Sequence, residues 1–333
     1  MISVLFETHH LYYLPQFEPV IRELQRRGGY EICISMPRSV DLWEQNYLAQ
    51  AASELGTEYV TSRTEESRVS DLRSRDFDVV VIGNVGRLED VVTESSLAVM
   101  VYHGIGLKWS YYRDVTPRID IRAVESEPRF TLLRKEGAHN LALTGFTKLD
   151  PLITGLGIET DSLLGKCGLN PARKTVLYAP TFYPSSLEKL LPELPRLAQQ
   201  VNVVVKLHNF SWYKERFSHQ SRKARKVAAG EQNVFLVPRE EFNILPYYAS
   251  AHVMISDISS TLFEYLVLNR PIIQTDFYAL RLKHRLFPSR LTRKLDLPRA
   301  EEVDFTHRMS DPKGVHSLVA HTLSHPHELQ ERR

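Results

Sequence analysis

Two short strings in the chain carry side chains that suit the binding of a phosphate ester. HGIGLK (residues 103–108) places His103 and Lys108 in a glycine-rich loop, and ISDISSTLFEY (residues 255–265) places hydroxyls ahead of a predicted helix. Each string begins near the end of an apolar run, so both are predicted at the carboxyl edge of a buried strand, where open α/β sheets bind ligands. A histidine, a lysine, hydroxyls and backbone N–H groups together predict an anionic phosphoester as the ligand.

His103 is the candidate for acid–base chemistry. A histidine with a pKa of ~6.5 can take a proton from an attacking hydroxyl at neutral pH. Gly104 and Gly106 would let the backbone approach a ligand closely, because glycine has no side chain. The alternative interpretation is an ordinary loop, and the residues alone leave both open.

The second string also has a purely structural interpretation. Thr261 to Glu264 matches a capping box, in which a hydroxyl and a carboxylate satisfy backbone groups at the start of a helix. The same helix start would direct partial positive charge and the hydroxyls of Ser259, Ser260 and Thr261 towards a ligand. An exposed helix dipole contributes only about 0.3–1 kcal/mol, so cationic side chains are expected nearby.

Lys206 and His208 are candidates for supplying that charge. They follow the apolar run 203–205, and the alternation of side chains along a strand places both on one face. Thr181 follows the string YAP (residues 178–180) and could donate a hydrogen bond to a phosphate. The alternatives are a plain strand end, a loop histidine and a turn.

Two further groups of polar residues are predicted to have no catalytic role. Glu7, His9 and His10 follow the first predicted strand and are expected in a solvated loop. The histidines between residues 314 and 333 share no motif with acidic ligands, so no metal site is predicted there.

The composition limits the class of protein. At 333 residues the chain is about twice a typical domain, which predicts two domains. A net charge of +2 is too small for a general nucleic-acid binder. Cys33 and Cys167 are the only cysteines, so a disulfide framework is not expected. This cysteine content is typical of a protein of the reducing cytoplasm.

Residues 2–6 predict a strand rather than a leader, and no stretch approaches the ~18 apolar residues of a membrane span.

Short apolar runs alternate with helical stretches, which predicts an α/β fold with parallel sheets. The predicted strands are 2–6, 31–35, 78–82, 97–102, 140–144, 175–178, 201–206, 234–237, 252–256 and 271–274. We predict a Rossmann-like N-terminal domain over residues 1–155, a Rossmann-like C-terminal domain over 156–313, and a helix in 314–333 that packs back on the N-terminal domain. A basic and apolar segment at 280–294 predicts either contact with an anionic membrane surface or a solvated helix face.

These strings, in this order, resemble the CDP-glycerol glycerophosphotransferases of teichoic acid and capsule synthesis, a group with the GT-B fold. The family motifs H-G-T-x-L-K, Y-A-P-T, K-x-H-P, T-D-Y-S-S-x-x-F-D-Y and K-P-I-I resemble residues 103–108, 178–181, 206–209, 256–265 and 270–273. Residues 145–150 are similar to the family's G-x-P-R-x-D.

The chain also departs from these motifs. Asn209 replaces a proline, Ile258 a tyrosine and Glu264 an aspartate, and Phe182-Tyr183 stand where a tryptophan–arginine pair is usual. The departures leave CDP-ribitol or another activated polyol phosphate open as the donor. The reaction class is less affected.

The resemblance implies two GT-B-like domains facing a cleft, with the acceptor bound by the first and a CDP-alcohol by the second. A hydroxyl of a cell-surface glycan or lipid-linked acceptor would attack the polyol-side phosphorus, and CMP would leave. His103 would be the base, and His208 would bind or protonate the diphosphate. Donor contacts would come from Lys206, Thr181, Asp257, Ser259, Ser260, Thr261 and Glu264, and acceptor or phosphate contacts from Gly104 and Lys108.

The implied partners are a CDP-polyol donor and a glycan or lipid-linked acceptor. No cofactor, metal-ligating residue or nucleic-acid partner is predicted, and a requirement for a divalent metal is left open. The expected location is the cytoplasm, and contact with the inner membrane face through residues 280–294 is left open. Two other classes stay open. One is a nucleotide-sugar glycosyltransferase or UDP-sugar 2-epimerase of the same fold, and the other is a non-catalytic nucleotide-binding member.

Overall fold

The computed structural model describes residues 1–86, 88–106, 116–155, 158, 160, 162–287, 289, 295 and 300–333. The described residues form two compact units. The first comprises residues 1–104 and 116–150, and the second comprises residues 105–106 and those from 151 onwards. Each unit has its own parallel sheet with helices, so the predicted α/β class is confirmed.

The sheet of the first unit has the strand order β3-β2-β1-β4-β5-β6-β7. Its strands are β1 (Ile2–Glu7), β2 (Tyr30–Ser35), β3 (Glu58–Val60), β4 (Val79–Ile82), β5 (Leu97–Val101), β6 (Ile121–Val124) and β7 (Leu141–Leu143). Strand β1 lies at the centre, where Val4 pairs in parallel with Ile32 of β2 and Val79 of β4. The strand order reverses at β1 and β4, and ligands of open α/β sheets bind at the carboxyl ends beside such a reversal.

Helices of the first unit connect these strands. They are α1 (Leu14–Arg27), α2 (Leu42–Glu54), α3 (Glu65–Ser74), α4 (Leu88–Val91) and α5 (Glu127–Lys135), with α6 (Asp150–Thr154) at the unit boundary. Helix α1 buries Phe17 and Ile21 at helical spacing and ends at Gly28, whose φ is 72°. Helix α1 is therefore amphipathic, with its apolar side in the core.

The sheet of the second unit has the order β10-β9-β8-β11-β12-β13. Its strands are β8 (Thr175–Tyr178), β9 (Asn202–Val205), β10 (Val234–Leu236), β11 (Val253–Ser256), β12 (Ile272–Thr275) and β13 (His307–Met309). Its helices are α7 (Leu163–Lys166), α8 (Leu187–Leu190), α9 (Leu194–Leu197), α10 (Phe210–Tyr213), α11 (Ser218–Gly230), α12 (Leu245–Ser250), α13 (Thr261–Glu264), α14 (Leu282–Leu286) and α15 (Val315–Ser324). Here the strand order reverses at β8 and β11.

The final helix, α15, contributes Val315 and Val319 to the core of the second unit. Its expected packing on the N-terminal domain stays a prediction. The division between the units falls after Asp150, close to the predicted boundary at residue 155. Among the helices that the structure describes, none combines the length and the hydropathy that crossing a bilayer requires.

Candidate functional site

His103 lies just beyond β5 with one ring nitrogen committed to the backbone. Its Nδ1 is 2.9 Å from the carbonyl oxygen of Gly83, which directly follows β4. A carbonyl oxygen can only accept, so Nδ1 carries the proton and a neutral ring keeps its lone pair on Nε2. This is the tautomer that a general base needs if the proton is to arrive at Nε2.

A buried tyrosine fixes the position of this ring. The centroid of Tyr13 lies 4.4 Å from that of His103, and Tyr13 is 1% exposed. Its hydroxyl accepts from Nδ2 of Asn84 at 2.7 Å. A Cβ on Gly83 would lie 2.0 Å from Cδ1 of Tyr13, so only glycine fits there. Gln16 donates to the His103 carbonyl oxygen at 3.2 Å. Local sequence gave no signal for Tyr13 or Gly83, because the contacts join three separate strand ends.

Gly104, predicted to face the acceptor or a phosphate, is held by an arginine. Nη1 of Arg129 donates to the Gly104 carbonyl at 3.1 Å, and the guanidinium lies 3.9 Å from the Tyr102 ring centroid. Glu125 pairs with Arg129 at 3.3 Å. Burial raises the pKa of the Glu125 carboxyl, and Arg129 opposes that rise. Arg129 thus positions the loop that carries His103.

The next glycine in the string also has a steric requirement. Gly106 belongs to the second unit and has a φ of 62°. A Cβ there would lie 2.9 Å from Cε2 of Phe263 in α13. The close approach that the sequence predicted therefore involves a phenyl ring of the protein. Lys108 lies outside the described residues.

Glu7 is not in a solvated loop, and that prediction is wrong. It is the last residue of β1, fully buried, and its Oε2 lies 3.0 Å from Nη1 of Arg68. Burial raises the pKa of Glu7, with Arg68 acting against the rise. His10 is also engaged, since its Nδ1 lies 3.1 Å from Oε1 of buried Glu44. Both carboxylates were missed because their partners are distant in sequence.

In the second unit, Asp257 organises the loop after β8. Its Oδ1 accepts from the Thr181 N–H at 2.7 Å, and its Oδ2 accepts from the N–H and the hydroxyl of Ser186 at 3.0 and 2.9 Å. Burial raises the pKa of Asp257 to about 7, although these three bonds favour the charged form. The predicted donor-binding carboxylate is therefore buried behind the loop, and it positions Thr181.

The serine cluster after β11 has a different hydrogen-bond pattern from the predicted capping box. Ser256 donates to the Ala179 carbonyl at 2.7 Å, so the Thr261 hydroxyl, 2.8 Å from the Ser256 oxygen, must donate to it. The Ser260 side chain makes no capping bond to the helix. The Thr261 hydroxyl therefore already donates to Ser256. The hydroxyls of Ser259 and Ser260 are the better donors to a ligand.

Glu264 completes the correction of the capping box. It is 2% exposed, and its Oε2 accepts from the Tyr248 hydroxyl at 2.9 Å. The Glu264 side chain therefore connects α13 to Tyr248 of α12. It does not accept a hydrogen bond from the backbone at the start of α13, as a capping box requires. Because α13 has only four residues, its dipole adds little at this edge.

His208 follows β9 and carries its proton on the opposite nitrogen from His103. Its Nδ1 accepts from the backbone N–H of Phe210 at 3.1 Å. An N–H can only donate, so the proton of the neutral ring lies on Nε2. Nε2 is therefore a hydrogen-bond donor, suited to an oxyanion. Lys206, which precedes it by two residues, is 6% exposed.

The loops after β9, β8 and β11 are neighbours, because these strands are adjacent in the sheet. This edge therefore gathers Thr181, Lys206, His208, Ser259 and Ser260, as the sequence predicted. The predicted approach of His103 and the Ser259 turn to one substrate stays a prediction. Within the described part of the chain, no three His, Cys, Asp or Glu residues are placed to hold a metal ion.

The chain is similar to one known family and to several solved structures. The family model described as CDP-glycerol:poly(glycerophosphate) glycerophosphotransferase matches residues 125–284. A variant of the wall teichoic acid polymerase TagF is similar with a TM-score of 0.70 and 14% identity, over 99% of this chain and 82% of that one. A TagF structure soaked with CDPG has a TM-score of 0.67 and 13% identity, over 99% and 83%.

A third similar structure has a different activity. The UDP-GlcNAc 2-epimerase from Neisseria meningitidis, bound to UDP-GlcNAc, has a TM-score of 0.63 and 14% identity, over 99% of this chain and 93% of that one. No curated protein matches the chain in sequence. At these identities the structural likeness shows the fold alone, which is the predicted GT-B fold. Residues 125–284 match the model of the CDP-glycerol:poly(glycerophosphate) glycerophosphotransferase family, and this match indicates a glycerophosphotransferase-type enzyme.

Proposed function

We propose that the chain transfers glycerol phosphate from CDP-glycerol to a hydroxyl of a glycan or lipid-linked acceptor and releases CMP. The family match supports the reaction class. The observation that carries the proposal is the opposite placement of the proton on two strand-end histidines. His103 offers a lone pair at Nε2, and His208 offers an N–H there.

The reaction forms one phosphorus–oxygen bond and breaks another. The acceptor oxygen attacks the polyol-side phosphorus, and the bond between that phosphorus and the oxygen bridging to CMP breaks. The acceptor proton goes to Nε2 of His103. The negative charge that develops on CMP accepts hydrogen bonds from His208 Nε2–H and from the hydroxyls of Ser259 and Ser260. Phosphoryl transfer needs mainly such positioning and charge stabilisation.

The remaining site residues support these steps. Lys206 contributes positive charge to the diphosphate, and Thr181 donates to it from the loop that Asp257 holds. Gly104 and Lys108 are assigned to the acceptor or to a phosphate. No cofactor is proposed. Nucleotide release measured with and without a chelator shows whether the transfer requires a divalent metal.

Nucleotide release tests the proposal directly. Purified protein is given CDP-glycerol, CDP-ribitol or UDP-GlcNAc, and CMP or UDP is measured with and without a lipid-linked glycan acceptor. We expect acceptor-dependent CMP release from a CDP-polyol. UDP release or epimerised UDP-GlcNAc would instead favour the nucleotide-sugar class, and nucleotide binding without turnover would favour a non-catalytic member.

We also propose contact with the cytoplasmic face of a membrane. Leu282, Leu286 and Phe287 are 67%, 64% and 54% exposed around the basic side chain of Arg285. Apolar side chains beside cations suit an anionic bilayer surface. Vesicles that contain anionic lipid should bind the wild type and bind a Leu286→Gln/Phe287→Gln variant less well. Ile153→Gln, at an equally exposed apolar residue, is the control, and equal binding of all three proteins would end the proposal.

A further inference from the structure

A cavity of the second unit lies at the amino edge of its sheet, opposite the edge that carries the candidate site. Lys174, His252 and Pro271 line this cavity, and they directly precede β8, β11 and β12, which are neighbours in the sheet. The length of a four-residue strand, about 13 Å, separates this edge from the loops of Thr181 and Ser259. The cavity is therefore separate from the site assigned to the transfer reaction. We call it the amino-edge cavity.

The amino-edge cavity has the size and the walls of a small-molecule site. Its volume is about 810 Å³, within the range of about 300–1,000 Å³ that is usual for ligand pockets. Leu164 and Leu323 supply apolar surface. The wall that follows α15 is held in place, because Nη2 of Arg333 donates to the Pro326 carbonyl at 2.9 Å and its Nε donates to Oδ1 of Asn269 at 3.3 Å.

His252 supplies a hydrogen-bond donor at the cavity. Its Nδ1 accepts from the backbone N–H of Thr175, the first residue of β8, at 3.2 Å. An N–H can only donate, so the proton of the neutral ring lies on Nε2. The ring lines the cavity, and the Nε2–H group suits an oxyanion bound there.

Two cations lie beside this ring. Lys174 and Arg270 both line the cavity. Burial lowers the pKa of the His252 imidazole, and the charges of Lys174 and Arg270 lower it further. Nη1 of Arg270 donates to the carbonyls of Ala249 and Ala251 at 2.7 and 2.5 Å, so the guanidinium is fixed at the cavity wall. A cation that is already positioned loses little freedom when it binds a ligand.

The described residues that line the cavity include no carboxylate. Glu331 lines a neighbouring cavity. Within the described part of the chain neither cation forms an ion pair, and Glu159 and Asp161, on either side of the lining residue Thr160 in the sequence, lie outside it. Two cations and an N–H group at one cavity favour an anion as its occupant.

We propose that the amino-edge cavity binds a phosphate monoester that carries a ring system, of the class of nucleoside monophosphates. The phosphate lies against Lys174, His252 and Arg270, because an ammonium group and a guanidinium fork are well matched to phosphate oxygens. The ring packs on the apolar wall, which a phosphate ion alone would leave uncovered. This second site goes beyond the proposed function, since its ligand binds whether or not the chain turns over CDP-glycerol.

CMP is the probe, and its binding is measured by equilibrium dialysis of the radiolabelled nucleotide. The carboxyl edge is expected to bind CMP as well, so the measurements use a His208→Ala/Ser259→Ala background that lacks two donors of that edge. Lys174→Glu, added to this background, places a carboxylate at the cavity. The matched control adds Lys189→Glu, the same change at an exposed lysine of α8. Melting temperatures establish that each variant folds.

We expect the background variant to bind one CMP per chain. Lys174→Glu should weaken this binding at least tenfold, because it reverses a charge at the phosphate, whereas Lys189→Glu should weaken it less than twofold. Lys174→Arg, which keeps the charge, should bind CMP within threefold of the background. Inorganic phosphate and cytidine should each bind at least tenfold more weakly than CMP, because each makes only part of the contacts.

Equal CMP affinity with and without Lys174→Glu would overturn the inference. The same conclusion follows if the background variant binds no CMP, since any nucleotide site would then lie at the carboxyl edge. Inorganic phosphate that binds as tightly as CMP would disprove the role of the ring, and cytidine that does so would disprove the role of the cations. Failure of the wild type to release CMP from CDP-glycerol would end the proposed function and leave this site standing.

Discussion

Nδ1 of His103 lies 2.9 Å from the carbonyl oxygen of Gly83, and this contact decides which nitrogen can act as a base. The carbonyl follows β4 and the histidine follows β5, so two neighbouring strands of the first sheet set the tautomer. His208 has the reverse pattern, because a backbone N–H occupies its Nδ1. The same residue type is thus prepared for two different tasks by the local backbone alone.

Removal of the His103 imidazole should abolish most of the transfer activity. A general base contributes typically about 10²–10⁴-fold, so His103→Ala should lower kcat at least a hundredfold while CDP-glycerol binding by calorimetry is retained. His139→Ala, at an exposed histidine of the same unit, is the control and should keep full activity. Near-normal turnover by His103→Ala would remove the histidine from the mechanism.

Gly83 should tolerate no side chain. In Gly83→Ala the new Cβ would overlap the buried ring of Tyr13, and overpacking of this kind costs about 1–3 kcal/mol. Urea unfolding measures the loss, with Gly165→Ala, which meets no atom within 4 Å, as the control. Combining Gly83→Ala with Tyr13→Leu should cost less than the sum of the two single changes, because the smaller side chain gives room. Simple additivity would show that the overlap is relieved in another way.

Much of this site could be predicted because it depends on local pattern. Apolar runs that end in polar residues located the strand ends that carry His103, Lys206 and Ser256. Strand β6 was missed because Arg122 interrupts its apolar run. In the structure Arg122 is 2% exposed and donates to the Thr116 carbonyl at 2.8 Å. Strands β3 and β13 were also missed, because their sequences EYV and HRM contain no apolar run. Strands β7 and β10 are equally short but consist of apolar residues, LAL and VFL, and were predicted.

The contacts that were missed join residues far apart in the chain. Asp257 and Thr181 are 76 positions apart, and Tyr183 and His284 are 101 apart. No spacing rule relates such pairs. The sequence of this chain could therefore predict that Asp257 follows a strand, but not that it binds the loop of Thr181. The capping-box prediction failed for the same reason, because Tyr248 of another helix binds Glu264.

Removal of one partner of the buried ion pair between Arg68 and Glu7 should destabilise the first unit. Arg68→Met would leave Glu7 as an unpaired buried carboxylate, and such losses cost about 3–5 kcal/mol. Adding Glu7→Gln removes that charge, so the double variant should recover part of the lost stability in urea unfolding. Arg22→Met, which breaks the exposed pair with Glu18, is the control and should change stability by less than about 1 kcal/mol. A double variant less stable than Arg68→Met would contradict the account.

Asp257 should make the second unit less stable as the pH rises. Burial raises its pKa from 3.8 to about 7 in the folded protein, so the folded state binds the proton more tightly than the unfolded state does. Stability from this group is then present in acid and is lost as the pH rises towards 7. Between pH 5 and pH 8 the wild type should lose about 3 kcal/mol relative to Asp257→Asn, which does not titrate.

The sign of that difference tests the role of burial. If the three hydrogen bonds from Thr181 and Ser186 outweighed burial, the folded pKa would fall, and the wild type would gain stability relative to Asp257→Asn on leaving acid. Urea unfolding at pH 5, 6, 7 and 8 distinguishes the two cases, with Asp304→Asn, at an exposed carboxylate, as the control. The amide of Asp257→Asn would also place an NH2 against a backbone N–H, which costs about 1–3 kcal/mol at every pH. That constant offset cannot imitate a change with pH, so the slope alone reports the proton on Asp257.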